Sequence, residues 1–267
     1  MIDMHSHILF GVDDGAKVIS YSLGLIEEEV SRGVSHIILT PHYSNRCTNL
    51  HPELVRENFK KLKDLVIEKN IKVMLYLGNE VYLGSDYCET IWQEPFYTLA
   101  GSDYILIEFD VVGASENIPE VCYEAGIKGY IPILAHVERY ETLYDNKQLI
   151  SDILSEGAHF QVNASAITGG KNKESDKFVQ YLLKERLVSF AASDVHNLDT
   201  RDFHLDEAYG VVRRLYGELY ANKIFCLNQQ NIIMNKYFDS PKLVCSTNGV
   251  MSKIFKRRGV YYERRRV

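Results

Sequence analysis

The stretch Met1-Ile2-Asp3-Met4-His5-Ser6-His7 reads as a short apolar strand that ends in two histidines. Side chains alternate along a strand with period two, so His5 and His7 point to the same side. Two neutral imidazoles that converge from one strand end can bind a transition-metal ion without any thiolate. The alternative is a pair of ordinary surface histidines, so a metal site requires partners from elsewhere in the chain.

The composition is that of an ordinary globular protein, with 267 residues, 46% hydrophobic and 25% charged. This length is normal for an α/β barrel and is enough to bury a large core. A net charge of −6 argues against nucleic acid as a partner. No signal peptide or membrane-spanning run is evident. Five scattered cysteines without a C-x-x-C pair fit a reduced, cytoplasmic setting.

Residues 253–267 reverse this charge balance, with seven Lys or Arg residues against one acid, Glu263. Phe255, Tyr261 and Tyr262 lie among these cations, so the segment could make weak contact with an anionic membrane surface. The alternative, which we favour, is a solvated tail. We therefore predict one domain over residues 1–240 and a flexible basic tail over residues 241–267.

Short apolar runs rich in β-branched residues alternate with longer helical patterns along the chain. In one helical pattern, Leu23, Ile26 and Val30 fall at i, i+3 and i+7. The predicted strands are Met1–His5, His36–Thr40, Val73–Leu77, Tyr104–Phe109, Ile131–Ala135, His159–Val162 and Leu187–Ala191. This sustained alternation predicts an α/β fold with a parallel sheet, and at this length a closed barrel.

Six of the seven predicted strands end in or next to a histidine or a carboxylate. In barrels, the carboxyl ends of the strands form the active-site face. The candidate ligands are His5, His7, His42, Glu80, Glu108, His136, Asp194 and His196, with Asp13 or Asp14 in the first loop as an addition. So many ligands would hold two or three ions, and their mixture favours zinc, manganese or iron. Paired ions clamp both oxygens of an in-line displacement, which predicts phosphoester hydrolysis.

Two arginines follow predicted histidine ligands closely enough to lie on the same face. Arg139 comes three residues after one such histidine, and Arg201 comes five residues after another. A guanidinium matches the oxygens of phosphate and can stabilise charge in the transition state. The alternative for Arg139 is a salt bridge with Glu138 or Glu141.

These motifs resemble the PHP (polymerase and histidinol phosphatase) family. They are His5-Ser-His7, Thr40-Pro41-His42, Gly78-Asn79-Glu80, the strand ending at Glu108, Ala135-His136-Val-Glu-Arg139 and Ser193-Asp194-Val-His196-Asn197. The nearer match is the branch of bacterial manganese-dependent protein-tyrosine phosphatases from capsule and exopolysaccharide operons. The segments that carry this nearer match are Met1–Leu9 with Asp13-Asp14-Gly15, Ile105–Phe109 and Gly129–Arg139. The resemblance covers residues 1 to about 235.

The resemblance implies a distorted, TIM-like (β/α)7 barrel with a trinuclear metal centre. The implied ligands are His5, His7, Glu80 and Asp194 for one ion, Glu80, Glu108 and His136 for a second, and Asp14, His42 and His196 for a third. Arg139 and Arg201 would bind phosphate. Manganese is the implied metal, although ligand type alone also permits iron or zinc. The implied substrate is phosphotyrosine on the tail of a cognate bacterial tyrosine kinase that controls capsular or exopolysaccharide synthesis.

Cysteine-based phosphatase chemistry is excluded, because no cysteine in the chain follows a histidine as a His-Cys-x5-Arg loop requires. Two other functions stay open. One is another PHP phosphoesterase, such as a histidinol-phosphate phosphatase, which would share the metal face. The other is a non-catalytic scaffold that binds the kinase and keeps a structural metal. The large ligand set argues against the scaffold, since structural sites are usually closed and mononuclear.

Overall fold

The computed structural model describes residues 1–43, 52–83, 92, 95–110, 117–169, 172–199 and 203–243. Parallel strands alternate with helices throughout these residues. The strands are β1 (Ile2–Asp3), β2 (His36–Leu39), β3 (His42–Tyr43), β4 (Met74–Leu77), β5 (Glu80–Leu83), β6 (Tyr104–Phe109), β7 (Ile131–Leu134), β8 (His159–Asn163) and β9 (Val188–Ala192). The helices are α1 (Ile19–Ser31), α2 (Pro52–Glu68), α3 (Ile118–Ile127), α4 (Lys147–Ser155), α5 (Ala164–Thr168), α6 (Lys173–Lys184), α7 (Leu205–Tyr216), α8 (Glu218–Asn222) and α9 (Asn228–Ile233).

The second and third of the seven predicted strands are each divided in two, the second into β2 and β3 and the third into β4 and β5. β1, β2 and β4 form one sheet, and β3, β5, β6, β7, β8 and β9 follow one another in a second. Pro41 has no N–H to continue the ladder after β2. Gly78 lies so close to Leu99 that an added Cβ would be 2.7 Å from Leu99 Cδ2. The breaks place His42 and Glu80 opposite each other in the β3–β5 pair.

The barrel closes between its first and last strands, at their carboxyl ends. Ser6 and Val195 form a parallel bridge, and the N–H of His7 donates to the Val195 carbonyl at 2.9 Å. The Asp3 carboxylate accepts the Ser193 N–H at 3.0 Å and the Ser193 hydroxyl at 2.5 Å. Seven strand positions, two of them divided, therefore form one distorted ring. This confirms the predicted (β/α)7 barrel.

An apolar interior separates the two ends of the barrel. The buried residues of this interior cluster include Met4, Ile38, Leu106, Ile133 and Phe190. The segment after α9 packs against it, where the Phe238 ring lies 6.2 Å from that of Tyr104. The predicted ligands lie beyond this apolar interior, at the carboxyl ends of the strands.

Some sequence predictions concern residues outside the described part of the chain. They include the predicted phosphate ligand Arg201 and residues 244–267 of the tail predicted over residues 241–267. His204 is described and lies at the N-terminus of α7, where its Nδ1 is 3.3 Å from a Glu207 carboxylate oxygen. No helix within the described ranges is both long enough and apolar enough to cross a membrane.

Candidate metal centre

All nine predicted metal ligands are described, and they converge at the carboxyl end of the barrel. Seven of these ligands form three groups, and within each group the ligand atoms all lie within 4.8 Å of one another. Each of His7, His42 and Glu80 belongs to two of the groups. The groups are His7, Asp14, His42 and His196; His5, His7 and Glu80; and His42, Glu80 and Glu108. The remaining two candidates join by direct contact. His136 Nε2 is 2.9 Å from Glu80 Oε1, and Asp194 Oδ1 is 3.4 Å from His7 Nε2.

Glu80 stands at the centre of this cluster and is fully buried. Its Oε1 lies 2.9 Å from His136 Nε2 and 3.3 Å from His5 Nε2. Its Oε2 lies 3.2 Å from His7 Nε2 and 3.0 Å from His42 Nδ1. Burial raises the pKa of Glu80, but the surrounding imidazoles outweigh burial and hold that pKa well below its ordinary value. Each oxygen of Glu80 therefore faces two imidazole nitrogens, and an ionised carboxylate in such a position can bridge two metal ions.

The spacing of these atoms fits shared metal ions. His5 Nε2 and His7 Nε2 face each other at 3.3 Å, and His5 Nε2 lies 3.5 Å from Asp194 Oδ1. Ligand atoms bound to one ion at about 2.1 Å are expected to be roughly 3.0–3.4 Å apart. Imidazole and carboxylate donors together suit manganese, iron and zinc. The donor set and its spacing therefore fit the predicted metal centre.

Two adjacent aspartates in the loop after β1 make different contacts. Asp14 Oδ1 lies 3.3 Å from His196 Nε2 and 3.5 Å from His42 Nε2, at an exposed edge of the cluster. Asp13 instead accepts a hydrogen bond from His7 Nδ1 at 2.8 Å. This bond turns His7 Nε2 toward the cluster, as carboxylates commonly do for metal-binding histidines. The structure thus places Asp14 among the candidate ligands and Asp13 behind them.

Gly15 lets this loop fold back onto the backbone of His7. An added Cβ would lie 1.9 Å from the His7 carbonyl oxygen. We expect Gly15→Ala to lower the free energy of unfolding by about 1–3 kcal/mol or more, and to weaken metal binding because His7 and Asp13 shift. Urea unfolding and metal titration measure both effects. Gly24→Ala in α1 is the matched control, since its Cβ meets nothing within 4 Å. Equal losses in the two variants would contradict this explanation.

Two candidate ligands have a left-handed backbone conformation that non-glycine residues rarely adopt. The φ angles are +33° at His136 and +54° at Asp194, which lie two residues after the ends of β7 and β9. Such conformations typically cost about 1–3 kcal/mol each and persist where surrounding contacts enforce them. The Asp194 N–H donates to the His5 carbonyl at 2.9 Å, and the His136 N–H donates to Gln161 Oε1 at 2.8 Å. These bonds hold the two turns from which the side chains enter the cluster.

Arg139 reaches the cluster from the short turn Val137–Arg139 that follows β7. Its Nη2 donates to Asp194 Oδ2 at 2.5 Å, and about 34% of its side chain is exposed. The alternative prediction of a salt bridge with Glu138 or Glu141 named the wrong partner. The buried Glu138 carboxylate instead accepts the Asn163 N–H at 3.3 Å. A guanidinium that is held at the cluster and is still partly exposed can donate hydrogen bonds to a phosphate oxygen.

His42 and His136 should hold protons before any metal binds. Burial lowers the pKa of His42, but the carboxylates of Asp14 and Glu80 outweigh it and raise the pKa to about 10. Burial likewise lowers the pKa of His136, but Glu108 and Glu80 raise it to about 9. These histidines therefore stabilise the metal-free fold below about pH 6.5, and that stabilisation is lost as pH rises through about 9–10.

We expect metal binding at pH 7 to release about two protons from these histidines, because a metal-bound imidazole must be neutral. Apparent metal affinity should accordingly rise with pH up to about 9–10. Calorimetric titration in two buffers with different ionisation enthalpies measures the number of protons released. Binding without proton release would contradict the predicted ligation.

The fold and the cluster together define a class of protein, the metal-dependent barrel hydrolases. Residues 1–234 match the family described as capsular polysaccharide synthesis, CpsB/CapC, and the chain belongs to that family. The tyrosine-protein phosphatase CpsB of Streptococcus agalactiae serotype III (strain NEM316) is 36% identical over 242 residues, covering 89% of this chain and 100% of that protein. The tyrosine-protein phosphatase YwqE of Bacillus subtilis (strain 168) is 32% identical over 217 residues, covering 81% and 85%.

Solved structures agree with this family. One solved structure comes from a report on YwqE from Bacillus subtilis and CpsB from Streptococcus pneumoniae, described there as unique metal-dependent tyrosine phosphatases. It matches with a TM-score of 0.82 and 30% identity, covering 92% of this chain and 100% of that chain. Histidinol phosphate phosphatase from Lactococcus lactis has a TM-score of 0.55 and 14% identity, covering 84% and 94%, which is a likeness of fold alone. The family and the fold predicted from the motifs are both confirmed.

Proposed function

We propose that this chain is a metal-dependent protein-tyrosine phosphatase. The observation that carries this proposal is the cluster around Glu80, with the Arg139 guanidinium bonded to one of its members. Ions bound there would lower the pKa of water and neutralise charge on a phosphoryl group. Its relatives in the CpsB/CapC family carry the name tyrosine-protein phosphatase, which supports the same activity.

Three ions are proposed, each held by ligands from several strands. The proposed sets are His5, His7, Glu80 and Asp194; Glu80, Glu108 and His136; and Asp14, His42 and His196. The contacts support these sets, although His42 also lies close to Glu80 and Glu108, between the second and third sets. Manganese is the proposed metal, with iron and zinc as alternatives, because the donor types suit all three.

The protein's own groups orient the phosphoryl group. Arg139 is proposed to bind its oxygens and to stabilise the charge that develops on them. Arg201, which lies outside the described residues, is proposed to do the same. A tyrosine phenol has an ordinary pKa of about 10, so the leaving group needs less help from a proton donor than an alkyl alcohol would.

The proposed physiological substrate is phosphotyrosine on the tail of a cognate bacterial tyrosine kinase that controls capsular or exopolysaccharide synthesis. The family's description as capsular polysaccharide synthesis supports this setting. The cluster also lies at one end of the barrel, with Asp14 about 59% exposed at its edge. A flexible phosphorylated tail would be able to enter such a site.

A turnover panel tests the proposed activity. The metal-loaded protein is assayed with a phosphotyrosine peptide, the phosphoserine peptide of the same sequence, histidinol phosphate and nucleotides, and its metal content is measured. We expect kcat/KM for the phosphotyrosine peptide to exceed that for histidinol phosphate by about 100-fold, or about 2.7 kcal/mol. A preference for histidinol phosphate would favour the other PHP phosphoesterase. One bound ion and no hydrolysis of p-nitrophenyl phosphate with added manganese would favour the scaffold.

Residues 1–240 are proposed to form the catalytic unit, with residues 241–267 as a flexible basic tail. The candidate ligands all lie between His5 and His196, well before the tail. Deletion of residues 253–267 should therefore leave the rate of p-nitrophenyl phosphate hydrolysis unchanged. A loss of metal content or activity in the shortened protein would show that the tail belongs to the fold.

A further inference from the structure

β8 carries two buried amides where its neighbouring strands carry candidate ligands. Gln161 is fully buried, and Asn163 is about 4% exposed. Side chains two residues apart on a strand share a face, so both amides lie on the same side of the sheet. Burying an amide without hydrogen-bond partners is costly, so the partners of these two side chains indicate why they are there.

The first amide sets the orientation of His5. Gln161 Oε1 accepts the backbone N–H of His136 at 2.8 Å, which identifies this atom as the oxygen because an amide NH2 cannot accept that bond. The same oxygen lies 3.1 Å from His5 Nδ1. His5 Nδ1 must therefore carry the proton and donate it, which leaves the lone pair on His5 Nε2 for the cluster.

The second amide continues the same chain of hydrogen bonds to Asp194. Gln161 Nε2 donates to Asn163 Oδ1 at 2.9 Å, and Asn163 Nδ2 donates to Asp194 Oδ2 at 2.8 Å. That carboxylate oxygen also accepts from Arg139, at 2.5 Å. The other oxygen, Oδ1, faces His5 Nε2 at 3.5 Å. The chain thus begins and ends on candidate ligands that face each other.

We propose that Gln161 and Asn163 are positioning residues, in which Gln161 selects the His5 tautomer and Asn163 fixes the rotation of the Asp194 carboxylate. The proposal rests on the proposed metal centre but not on the identity of the phosphorylated substrate. Hydrogen-bond partners behind metal ligands typically contribute about 10–100-fold to metal affinity. β8 thereby serves the centre without supplying a ligand of its own.

Metal binding and nitrogen NMR test the two halves separately. Zinc affinity of the metal-free protein is measured by competition with a chromogenic chelator, and the His5 ring nitrogens are observed in the zinc-loaded protein. Gln161→Met should lower zinc affinity about 10–100-fold and alter the His5 nitrogen signals. Gln161→Glu keeps an acceptor and should restore those signals. Asn163→Leu should lower zinc affinity while leaving the His5 signals as in the wild type.

Gln229→Met is the matched control, because Gln229 is equally buried but donates to the carbonyls of Ala191 and Ile224. It should lower the Tm of the metal-free protein and leave zinc affinity unchanged. Wild-type affinity and His5 signals in Gln161→Met would overturn the proposal, as would an equal loss of affinity in Gln229→Met. If Gln161→Met does not fold, wild-type zinc affinity in Asn163→Leu overturns it. A different substrate preference in the turnover panel would leave these affinities untouched, so the two failures are distinguishable.

Discussion

Glu80→Gln is expected to lower kcat/KM for a phosphotyrosine peptide by more than about 10³-fold and to reduce the bound metal by at least one ion. The loss should exceed the 10²–10³-fold typical of a single transition-state donor, because this carboxylate contacts several ligands. Its two oxygens lie within 3.3 Å of the ring nitrogens of His5, His7, His42 and His136. An amide keeps one acceptor, loses the charge and turns an NH2 group toward part of this cluster.

Metal analysis and steady-state kinetics on the same preparation measure this effect. Glu29→Gln is the matched control, since Glu29 is also fully buried but lies on α1. Burial and the neighbouring Asp3 carboxyl raise the pKa of Glu29 well above its ordinary value, which favours the neutral acid that a glutamine resembles. The control should keep its metal and activity. A Glu80→Gln protein with wild-type metal content and rate would refute the central role of Glu80.

Arg139→Ala is expected to reduce turnover by about 10²–10³-fold while metal content stays intact. The guanidinium is anchored by Asp194 Oδ2 and remains about 34% exposed, so it can contact both the protein and a phosphoryl oxygen. Arg139→Lys should recover part of the loss, because an ammonium keeps the charge but not the planar fork that binds two oxygens.

Kinetics and metal analysis on the arginine variants distinguish phosphate binding from support of Asp194. Arg32→Ala is the matched control, because about 31% of the Arg32 side chain is exposed and it forms ion pairs with Glu28 and Asp206. That variant should keep wild-type turnover. A fall in metal content parallel to activity in Arg139→Ala would mean that Arg139 acts through Asp194 instead of phosphate. Unchanged turnover would rule out both roles.

The succession of strands could be predicted well because each strand is a short apolar run bounded by polar residues. The predicted strand Tyr104–Phe109 has the observed bounds of β6. The division of the second and third positions was not predicted, although Pro41 and Gly78 were visible in the sequence. The break between the two sheets depends on which strands pair with each other. It becomes visible only in the register that sets His42 opposite Glu80.

The candidate ligands could be predicted for a related reason, since a histidine or acid after a buried strand falls on a known face of a barrel. The contacts between these side chains could not be predicted from the sequence. The partner of Arg139 depends on the left-handed turn at Asp194, a backbone conformation that is uncommon outside glycine. The contribution of β8 was missed because Gln161 and Asn163 are not ligand types. Their period-two spacing on a buried strand was the available signal.

The closure of the barrel between the first and last strands, β1 and β9, also bears on when the metal centre can form during synthesis. His5 and His7 are synthesised well before Asp194, their neighbour where the barrel closes. Contacts between such distant parts of a chain form late, because a long loop must close first. A chain that stops before Asp194 therefore keeps only part of the ligand set. Full metal loading should thus be confined to chains that extend at least through His196, and chains that stop earlier should lack that stabilisation.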